Sequence, residues 1–425
     1  MNTLRFGTDG IRGIYGETLT EDTAYRLGAA LAREGSILLG RDDRPSSPAL
    51  ARAVARGAAS CGGKVNAVGL VTTPALYYLL SVSDCAVAVM VTASHNPPEH
   101  NGLKVFTKRG KPTENERREI EARMSAVSLK PSSFPYGEED ALSPYVEYVK
   151  RKIGRLEGVR AVVDLACGAG CALRDLYATL GAKTTVLNAE AKGDRINRGC
   201  GALHPEICRQ EVLKQGADLG VTIDGDGDRI VAITRSGKIL DGDHITYLMA
   251  LRMKAKGALK RNKVAMTVMT NGGVLKSLTQ NGVTPISCAV GDAALAETMK
   301  AEGLNLGGEQ SGHVILGDYL PTGDGLLVGA ALMKSIVEDG DLDLTPPPLV
   351  YPQVLLNLPV SDKNIANDLS VQRAAADVKA ALGEGRVLLR PSGTENLVRI
   401  MVEHPNESLA KAAAEELKSI ILRRV

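Results

Sequence analysis

The sequence is poor in aromatic side chains, with no Trp, 3 Phe and 11 Tyr among its 425 residues. Its charge is nearly balanced, with 51 Lys and Arg against 49 Asp and Glu and a formal net charge of +2. Proteins that bind nucleic acids usually carry a dense basic stripe, often with aromatic residues between the charges, and this sequence has neither. We therefore expect no nucleic acid among its partners.

Long apolar runs are also missing. No stretch approaches the roughly 18 consecutive apolar residues that indicate a membrane span. The N-terminal segment lacks the positive region and apolar region of a signal peptide. The sequence thus predicts a cytoplasmic protein with no membrane partner. Its 7 cysteines form no CxxC pair, which favours free thiols over a disulfide framework or a structural zinc site.

What the sequence has throughout is an alternation of apolar runs and amphipathic stretches. The runs at 65–70 and 219–223 are typical of buried strands. The stretches at 21–33 and 114–126 are typical of helices, and each follows a Thr that suits an N-cap. The alternation predicts α/β layers and recurs too often for one sheet. At about 100 to 200 residues per domain, the length predicts two to four domains.

Breaks in this alternation indicate domain boundaries. A segment rich in Pro, Ser and acidic residues covers 131–144, and Pro346-Pro347-Pro348 can continue neither a helix nor a central strand. A softer boundary falls near residue 252, where a helical stretch gives way to a new strand. We predict four domains, at 1–150, 151–251, 252–345 and 346–425.

The first of four polar loops that follow apolar runs is Thr92-Ala93-Ser94-His95-Asn96-Pro97. A small hydroxyl residue directly after a buried strand is where an open α/β sheet places reactive groups. Ser94 lacks the flanking glycines of a G-x-S-x-G elbow, so the loop does not support an ester hydrolase. An ordinary serine-containing turn is the alternative.

The second loop, Asp224-Gly225-Asp226-Gly227-Asp228-Arg229, directly follows the run at 219–223. Carboxylates at alternating positions repel one another unless a hard cation lies among them. An EF-hand is excluded, because its sixth position would be Arg229 instead of Gly and its twelfth Arg235 instead of Glu. So few protein carboxylates suit Mg²⁺ better than Ca²⁺, and a solvated acidic turn is the alternative.

The third loop, at 307–313, carries Glu309, Gln310, Ser311 and His313. These side chains can hydrogen-bond a polyol and transfer one proton. An isolated His is more often structural, but His313 ends a Gly-rich polar loop and does not lie on an apolar face.

The fourth loop is Arg390-Pro391-Ser392-Gly393-Thr394-Glu395-Asn396, with Arg399 beyond it. Guanidinium groups, hydroxyls and a closely approachable glycine backbone form a reasonable phosphate cradle. The Walker A and G-x-G-x-x-G patterns are both absent from the sequence. Because each of the four loops falls in a different predicted domain, we expect them to line a single cleft.

Five motifs, in this order along the chain, strongly resemble the α-D-phosphohexomutase superfamily: FGTDGIRG, TASHNP with NGLK, DGDGDR, GGEQSGH and RPSGTE. The match covers essentially the whole chain. Among the branches, the sequence is most similar to the bacterial phosphoglucosamine mutases, through the opening motif, the segment 197–206, Val290-Gly291-Asp292 and Gln310. The resemblance implies an α/β fold of four domains, three similar ones and a smaller C-terminal α+β domain like that of the TATA-box-binding protein.

The resemblance also implies a role for each motif. Ser94 would carry a phosphoryl group, and Asp224, Asp226 and Asp228 would hold one Mg²⁺ together with it. The other implied residues are Lys104 and His313 as general acid and base, His95 beside the phosphoserine, Arg12 and Arg229 for charge stabilisation, Glu309 and Ser311 for sugar hydroxyls, and Arg390, Ser392, Gly393, Thr394 and Arg399 for the distal phosphate.

The implied activity is the interconversion of glucosamine 6-phosphate and glucosamine 1-phosphate through a bisphosphorylated sugar, in amino-sugar nucleotide and cell-wall precursor synthesis. Glucosamine or glucose 1,6-bisphosphate would prime the enzyme, and its partners would be small-molecule sugar phosphates. Monomer and homodimer both stay open. Ala293 stands where the family often has Arg after Val-Gly-Asp, so a phosphomannomutase or phosphoglucomutase is the first alternative. A sugar-phosphate-binding regulator without turnover is the second.

Overall fold

The computed structural model of the chain describes residues 6–7, 9–129, 135–392 and 396–424. They fall into a larger unit, formed by 1–268 with 286–346, and a smaller unit, formed by 269–285 with 347–425. None of the helices in these ranges combines the length and the apolar character needed to cross a membrane.

The first sheet of the larger unit places the loop of Ser94 at its centre. Its strands are β1 (Ile11–Ile14), β2 (Ile37–Arg41), β3 (Val65–Leu70), β4 (Val87–Val91) and β5 (His100–Thr107). The accompanying helices are α1 (Glu21–Leu31), α2 (Ser47–Ser60), α3 (Thr73–Val82), α4 (Glu114–Ala126) and α5 (Ser143–Ile153). The strand order is β1-β5-β4-β2-β3, so β4 is the middle strand and the chain leaves its carboxyl end into the Ser94 loop.

The second sheet places the aspartate loop in the same way. It comprises β6 (Arg160–Asp164), β7 (Lys183–Leu187), β8 (Leu219–Ile223), β9 (Ile230–Thr234) and β10 (Ile239–Leu240), with α6 (Leu176–Thr179), α7 (Glu206–Gln215) and α8 (Gly242–Ala255). The strand order is β10-β9-β8-β6-β7. Asp224 therefore follows the central strand β8, which pairs in parallel with β6 and antiparallel with β9.

The third sheet supplies the loop that contains His313. Its order is β12-β11-β13-β14, from β11 (Lys263–Thr267), β12 (Thr284–Cys288), β13 (Leu306–Gly308) and β14 (Val314–Leu316). Helix α9 (Gly272–Gln280) belongs to the smaller unit, and α10 (Asp292–Glu302) and α11 (Gly325–Asp339) belong to the larger one. The segment 309–313 is the connection between the antiparallel strands β13 and β14.

The local sequence explains how helices α1 and α4 begin and how α1 packs against α2. Thr20 caps α1 and accepts from Thr23 N, and Thr113 forms a capping box with Glu116 at the start of α4, which confirms both predicted N-caps. Helices α1 and α2 lie close because glycines face the contact: a Cβ on Gly28 would lie 2.0 Å from the carbonyl oxygen of Val54.

The smaller unit is an antiparallel sheet covered by helices. Its strands are β15 (Gln353–Pro359), β16 (Arg386–Pro391) and β17 (Leu397–Glu403), in the order β15-β17-β16, and its longer helices are α12 (Leu369–Leu382) and α13 (Glu407–Leu422). Alternating residues Val398, Ile400 and Val402 of β17 are buried against the helices. The α/β fold class is confirmed, and the domain boundaries near 150, 251 and 345 stay a prediction.

A buried N-cap gives the fold a measurable pH dependence. Asp324, 2% exposed, accepts hydrogen bonds from Leu327 N (3.0 Å) and from the Tyr145 hydroxyl (2.6 Å). Burial raises the pKa of Asp324 from its ordinary 3.8 to about 6, although the bond from Tyr145 opposes the shift. Because the folded pKa lies above the unfolded one, the stabilisation that Asp324 provides is complete below pH 3.8 and is lost as the pH rises through about 6.

We therefore expect Asp324→Asn to gain stability relative to the native protein as the pH rises. Between pH 5 and pH 8 the gain should be about 1.4 kcal/mol, measured by urea unfolding. The exposed cap Asp368 serves as the control, since hydrogen bonds from Ser370 lower its pKa and Asp368→Asn should show no such gain. This expectation would be contradicted if the free energy of unfolding of Asp324→Asn differed from that of the native protein by the same amount at both pH values.

Candidate active site

Ser94 is buried in a backbone conformation that is rare for its residue type. It is 1% exposed and has a φ of 54°, in the left-handed region that favours glycine. Such a conformation costs on the order of 1 kcal/mol and persists only where neighbouring groups hold it. One of these groups is Thr92, whose Oγ1 accepts from Ser94 N at 2.9 Å.

The Ser94 hydroxyl points at the aspartate loop. Its Oγ donates to Asp224 Oδ2 at 2.7 Å and lies 3.4 Å from His95 Nδ1. Burial, together with the charges of Arg229 and Arg12, lowers the pKa of His95 to about 4. A neutral imidazole therefore lies beside the hydroxyl at neutral pH.

Asp224, Asp226 and Asp228 form a buried cluster whose ligand oxygens lie within 4.8 Å of one another. They are 0%, 0% and 6% exposed. Burial, with the charges of Asp228 and Asp226, raises the pKa of Asp224 well above its ordinary value. Among the residues that the structure describes, Asp226 Oδ1 and Asp228 Oδ1 have no hydrogen-bond partner. Buried, unpaired carboxylate oxygens of this kind fit a hard divalent cation.

Lys104 on β5 faces the same carboxylates from the first sheet. Its Nζ donates to Asp226 Oδ2 at 2.7 Å and to Asp228 Oδ2 at 3.1 Å. Burial alone would lower the pKa of Lys104, but the two aspartates outweigh it and raise the pKa. Lys104 is consequently an ammonium ion, able to donate a proton or to stabilise negative charge. Thr73, at the start of α3, also binds the cluster, since its Oγ1 donates to Asp226 Oδ2 at 2.6 Å.

Two arginines add positive charge around the cluster. Arg229 N donates to Asp224 Oδ1 at 3.2 Å, and its Nε lies 4.0 Å from Asp228 Oδ1. Burial would lower the pKa of Arg229, but Asp228 and Asp224 raise it overall. Arg12 on β1 pairs with Asp9. Burial lowers the pKa of Arg12, with Asp226 opposing the shift.

The loop between β13 and β14 brings further polar groups. His313 is 3% exposed, and its Nε2 accepts from Gly323 N at 3.1 Å, so this nitrogen carries no proton in that bond. Its other neighbours include Asp228 and Asp292, within 4.8 Å between ligand atoms. Glu309 is buried and accepts from Gly291 N at 2.8 Å, whereas Ser311 is exposed.

A cavity of about 700 Å³ lies against this loop. Its lining includes Phe106, Lys111, Ala293 and His313. Lys111 pairs with both Asp9 and Asp292, and burial lowers the pKa of its ammonium despite the charge of Asp292. Neither Lys111 nor Thr73 stands out in the sequence, because each is a single polar residue outside any spaced motif.

The candidate phosphate loop belongs to the smaller unit. Arg390 on β16 lies directly opposite Arg399 on β17, and both are exposed. Burial and the charge of Arg399 lower the pKa of Arg390. Like charges directly opposite each other are unfavourable, and an anion bound to both guanidinium groups would offset the repulsion. Ser392 is 3% exposed, and the sequence-predicted Gly393 and Thr394 lie outside the described residues.

Family models match most of the chain. Residues 3–130 match phosphoglucomutase/phosphomannomutase alpha/beta/alpha domain I, residues 241–344 match its domain III, and residues 355–420 match its C-terminal domain. The phosphoglucosamine mutase of Corynebacterium glutamicum (strain R) is 40% identical over 443 aligned positions, which cover 99% of this chain and 99% of that protein. The phosphoglucosamine mutase of Geobacillus thermodenitrificans is 37% identical and covers 99% of this chain and 98% of its own.

Solved structures share the fold. A phosphoglucomutase/phosphomannomutase family protein of Burkholderia thailandensis has a TM-score of 0.83 at 24% identity, covering 100% of this chain and 98% of its own. An Aspergillus fumigatus N-acetylphosphoglucosamine mutase in complex with GlcNAc-6P and magnesium has a TM-score of 0.65 at 18% identity, covering 91% and 82%. A variant of that enzyme in complex with glucose 1,6-bisphosphate has a TM-score of 0.64 at 17% identity, covering 98% and 95%. The predicted four-domain architecture is thereby confirmed.

Proposed function

The chain belongs to the phosphoglucomutase/phosphomannomutase family, and on that premise we propose that it interconverts glucosamine 6-phosphate and glucosamine 1-phosphate. The protein is an isomerase that works by phosphoryl transfer, and its product feeds amino-sugar nucleotide and cell-wall precursor synthesis. The choice of the amino sugar rests on the phosphoglucosamine mutases of C. glutamicum and G. thermodenitrificans, whose similarity extends over nearly the full chain.

The observation that carries the proposal is the contact of 2.7 Å between Ser94 Oγ and Asp224. It places a hydroxyl beside three buried carboxylates and the ammonium of Lys104. In a phosphoryl-transfer enzyme, catalysis depends mainly on in-line positioning and on neutralising the charge of the transferred group. Ser94 would carry that group, and Lys104, Arg12 and Arg229 would surround it with positive charge.

Asp224, Asp226 and Asp228 would hold a divalent cation, which we propose to be Mg²⁺, one per chain. When bound, the cation neutralises phosphoryl oxygens and polarises the bond that breaks. Among the described residues, Asp226 Oδ1 and Asp228 Oδ1 are buried hard oxygen donors without a hydrogen-bond partner, which supports this assignment.

Acid and base chemistry would come from Lys104 and His313. The ammonium of Lys104, which donates to Asp226 and Asp228, would protonate the departing Ser94 oxygen or hold its charge. His313 accepts from Gly323 through Nε2, which leaves Nδ1 as the nitrogen that carries the proton. His95, neutral at physiological pH, would orient the Ser94 oxygen through the hydrogen bond that it can form.

The sugar and its second phosphate would be bound by the remaining polar residues. Glu309 and Ser311 would accept and donate hydrogen bonds to sugar hydroxyls, and Arg390, Ser392 and Arg399, with Gly393 and Thr394, would bind the distal phosphate. Glucosamine or glucose 1,6-bisphosphate would phosphorylate Ser94 to start the cycle. The choice between monomer and homodimer and the cytoplasmic location stay predictions.

A substrate panel tests the proposed function. We expect kcat/KM for glucosamine phosphate to exceed that for glucose and mannose phosphates by at least about tenfold, or about 1.4 kcal/mol in transition-state preference. The assay measures isomerisation of each sugar 6-phosphate with Mg²⁺ and the matching 1,6-bisphosphate. A tenfold preference for mannose or glucose phosphate would instead identify a phosphomannomutase or phosphoglucomutase, and binding without turnover of any sugar would identify a regulator.

A further inference from the structure

Arg44 lies beneath the Ser94 loop and is completely buried. Its guanidinium group donates to three backbone carbonyls of this loop, those of Ser94 (2.7 Å), Asn96 (2.8 Å) and Pro97. It also donates to the carbonyl of His100 at the start of β5 (3.0 Å). A planar group with five donors can bind several acceptors at once, which an ammonium cannot do in the same geometry. Arg44 therefore fixes the path of the chain at the nucleophile and directly after it.

Asp42 in turn fixes Arg44. Its Oδ2 accepts from Arg44 Nε at 2.9 Å and from Thr92 Oγ1 at 2.7 Å, and its Oδ1 accepts from Ser47 Oγ at 2.5 Å. The buried charge of Arg44 is thus paired, which burial of a guanidinium requires. Thr92 also accepts from Ser94 N. The Asp42–Arg44 pair therefore binds the Ser94 loop twice, directly through Arg44 and indirectly through Thr92.

Asn197, which lies in the chain between β7 and α7, binds the same loop. Its Nδ2 donates to Ser94 O at 2.9 Å and to Asn96 O at 3.2 Å, so Ser94 O accepts from both Arg44 and Asn197. Asn197 is 6% exposed and has a φ of 60°, which Asn tolerates better than most residues.

We propose that Arg44 and Asn197 are positioning residues that hold Ser94 in its left-handed conformation and so aim its hydroxyl at Asp224. This inference rests on the proposed function, since it assigns Ser94 the reacting hydroxyl. The left-handed backbone of Ser94 is unfavourable by itself. Arg44 and Asn197, from different parts of the chain, both donate to the Ser94 carbonyl and so compensate for this unfavourable backbone conformation. They do so at the residue whose side chain must be aligned for transfer.

Arg44→Lys is the main test, because it keeps the charge and removes the planar fork. We expect kcat to fall by about 100-fold with KM changed less than about threefold, since a misplacement near 1 Å can cost that much rate without loss of binding. Hydrogen exchange at the amides of residues 94, 96 and 100 should accelerate at least about tenfold, as the loop opens locally.

Arg252→Lys is the matched control. Arg252 is also buried and clamps backbone carbonyls, those of Ser335 and Asp341 at 3.0 Å each, but away from the Ser94 loop. The Arg252→Lys substitution should lower stability and leave kcat and the hydrogen exchange of the Ser94 loop unchanged. An equal loss of kcat in Arg252→Lys would mean that the Arg44 effect is general destabilisation, and the positioning role would be wrong.

Asn197→Ala provides a second variant if Arg44→Lys does not fold. It should lower kcat by about tenfold with little change in KM, and raise exchange at the same amides. Normal kcat and normal exchange in a folded Arg44→Lys or Asn197→Ala protein would overturn the inference. If the native protein isomerises none of the sugar phosphates, the proposed function fails, while the exchange measurement still decides whether these residues hold the loop.

Discussion

Replacing Ser94 with alanine should lower kcat by at least about 10³-fold, because it removes the oxygen that carries the phosphoryl group. The fold should survive, since alanine removes only the hydroxyl with its contacts to Asp224 and His95. The isomerisation of glucosamine 6-phosphate with Mg²⁺ and bisphosphate measures the loss, and urea unfolding measures the stability.

Ser335→Ala is the matched control for this variant. Ser335 is 7% exposed on α11 and takes no part in the cluster around Ser94. The Ser335→Ala variant should keep full activity. If Ser94→Ala retained more than about a tenth of the native kcat, phosphoryl transfer through Ser94 would be contradicted.

Replacing Asp226 with asparagine should lower kcat by two to three orders of magnitude, because it removes one negative charge from the proposed cation site. The change is isosteric, so the fold should persist. Asp226 also accepts from Thr73 and Lys104, and an amide cannot pair with the ammonium as a carboxylate does. Affinity for Mg²⁺ measured by calorimetry should fall together with kcat.

Asp218→Asn separates this effect from a general effect of removing an aspartate. Asp218 precedes β8 whereas Asp224 follows it, so the two lie at opposite ends of one strand. Its carboxylate accepts from Arg160 N at 2.8 Å, far from the cluster along that strand. The control should keep its Mg²⁺ affinity and activity. Native activity and native Mg²⁺ affinity in Asp226→Asn would exclude the aspartate loop as the metal site.

Much of the fold follows from the periodicity of the sequence. The runs predicted at 65–70 and 219–223 coincide with β3 and β8, because buried strands flanked by polar loops have sharp ends. Helix α1 ends at Leu31 where the sequence predicts 33, since the last turn of a helix is weakly specified. The 2.7 Å contact between Ser94 Oγ and Asp224 Oδ2 agrees with the expectation that the polar loops of different domains line one cleft.

The residues that support the site were not predictable in the same way. Arg44 and Asn197 bind the Ser94 loop across 50 and 103 positions of sequence. Arg44 belongs to no spaced motif, and Asn197 opens the segment 197–206, whose resemblance to the family does not indicate this contact. One signal was available: the charged segment 41–44 follows the apolar run of β2, as the reactive loops follow theirs. The left-handed backbone of Ser94 gave no signal, since only Gly or Asn would have indicated it.

The central claim is that Ser94 exchanges a phosphoryl group with the sugar, and a label chase tests it most directly. The protein is first labelled with glucosamine 1,6-bisphosphate that carries radioactive phosphate, and the excess is removed. Unlabelled glucosamine 6-phosphate is then added, and the label is followed by peptide mapping and by analysis of the sugars. We expect the label on the Ser94 peptide before the chase and in the sugar phosphates after it, at the rate of isomerisation. Isomerisation without label on Ser94, or release of the label as inorganic phosphate at that rate, would contradict the claim.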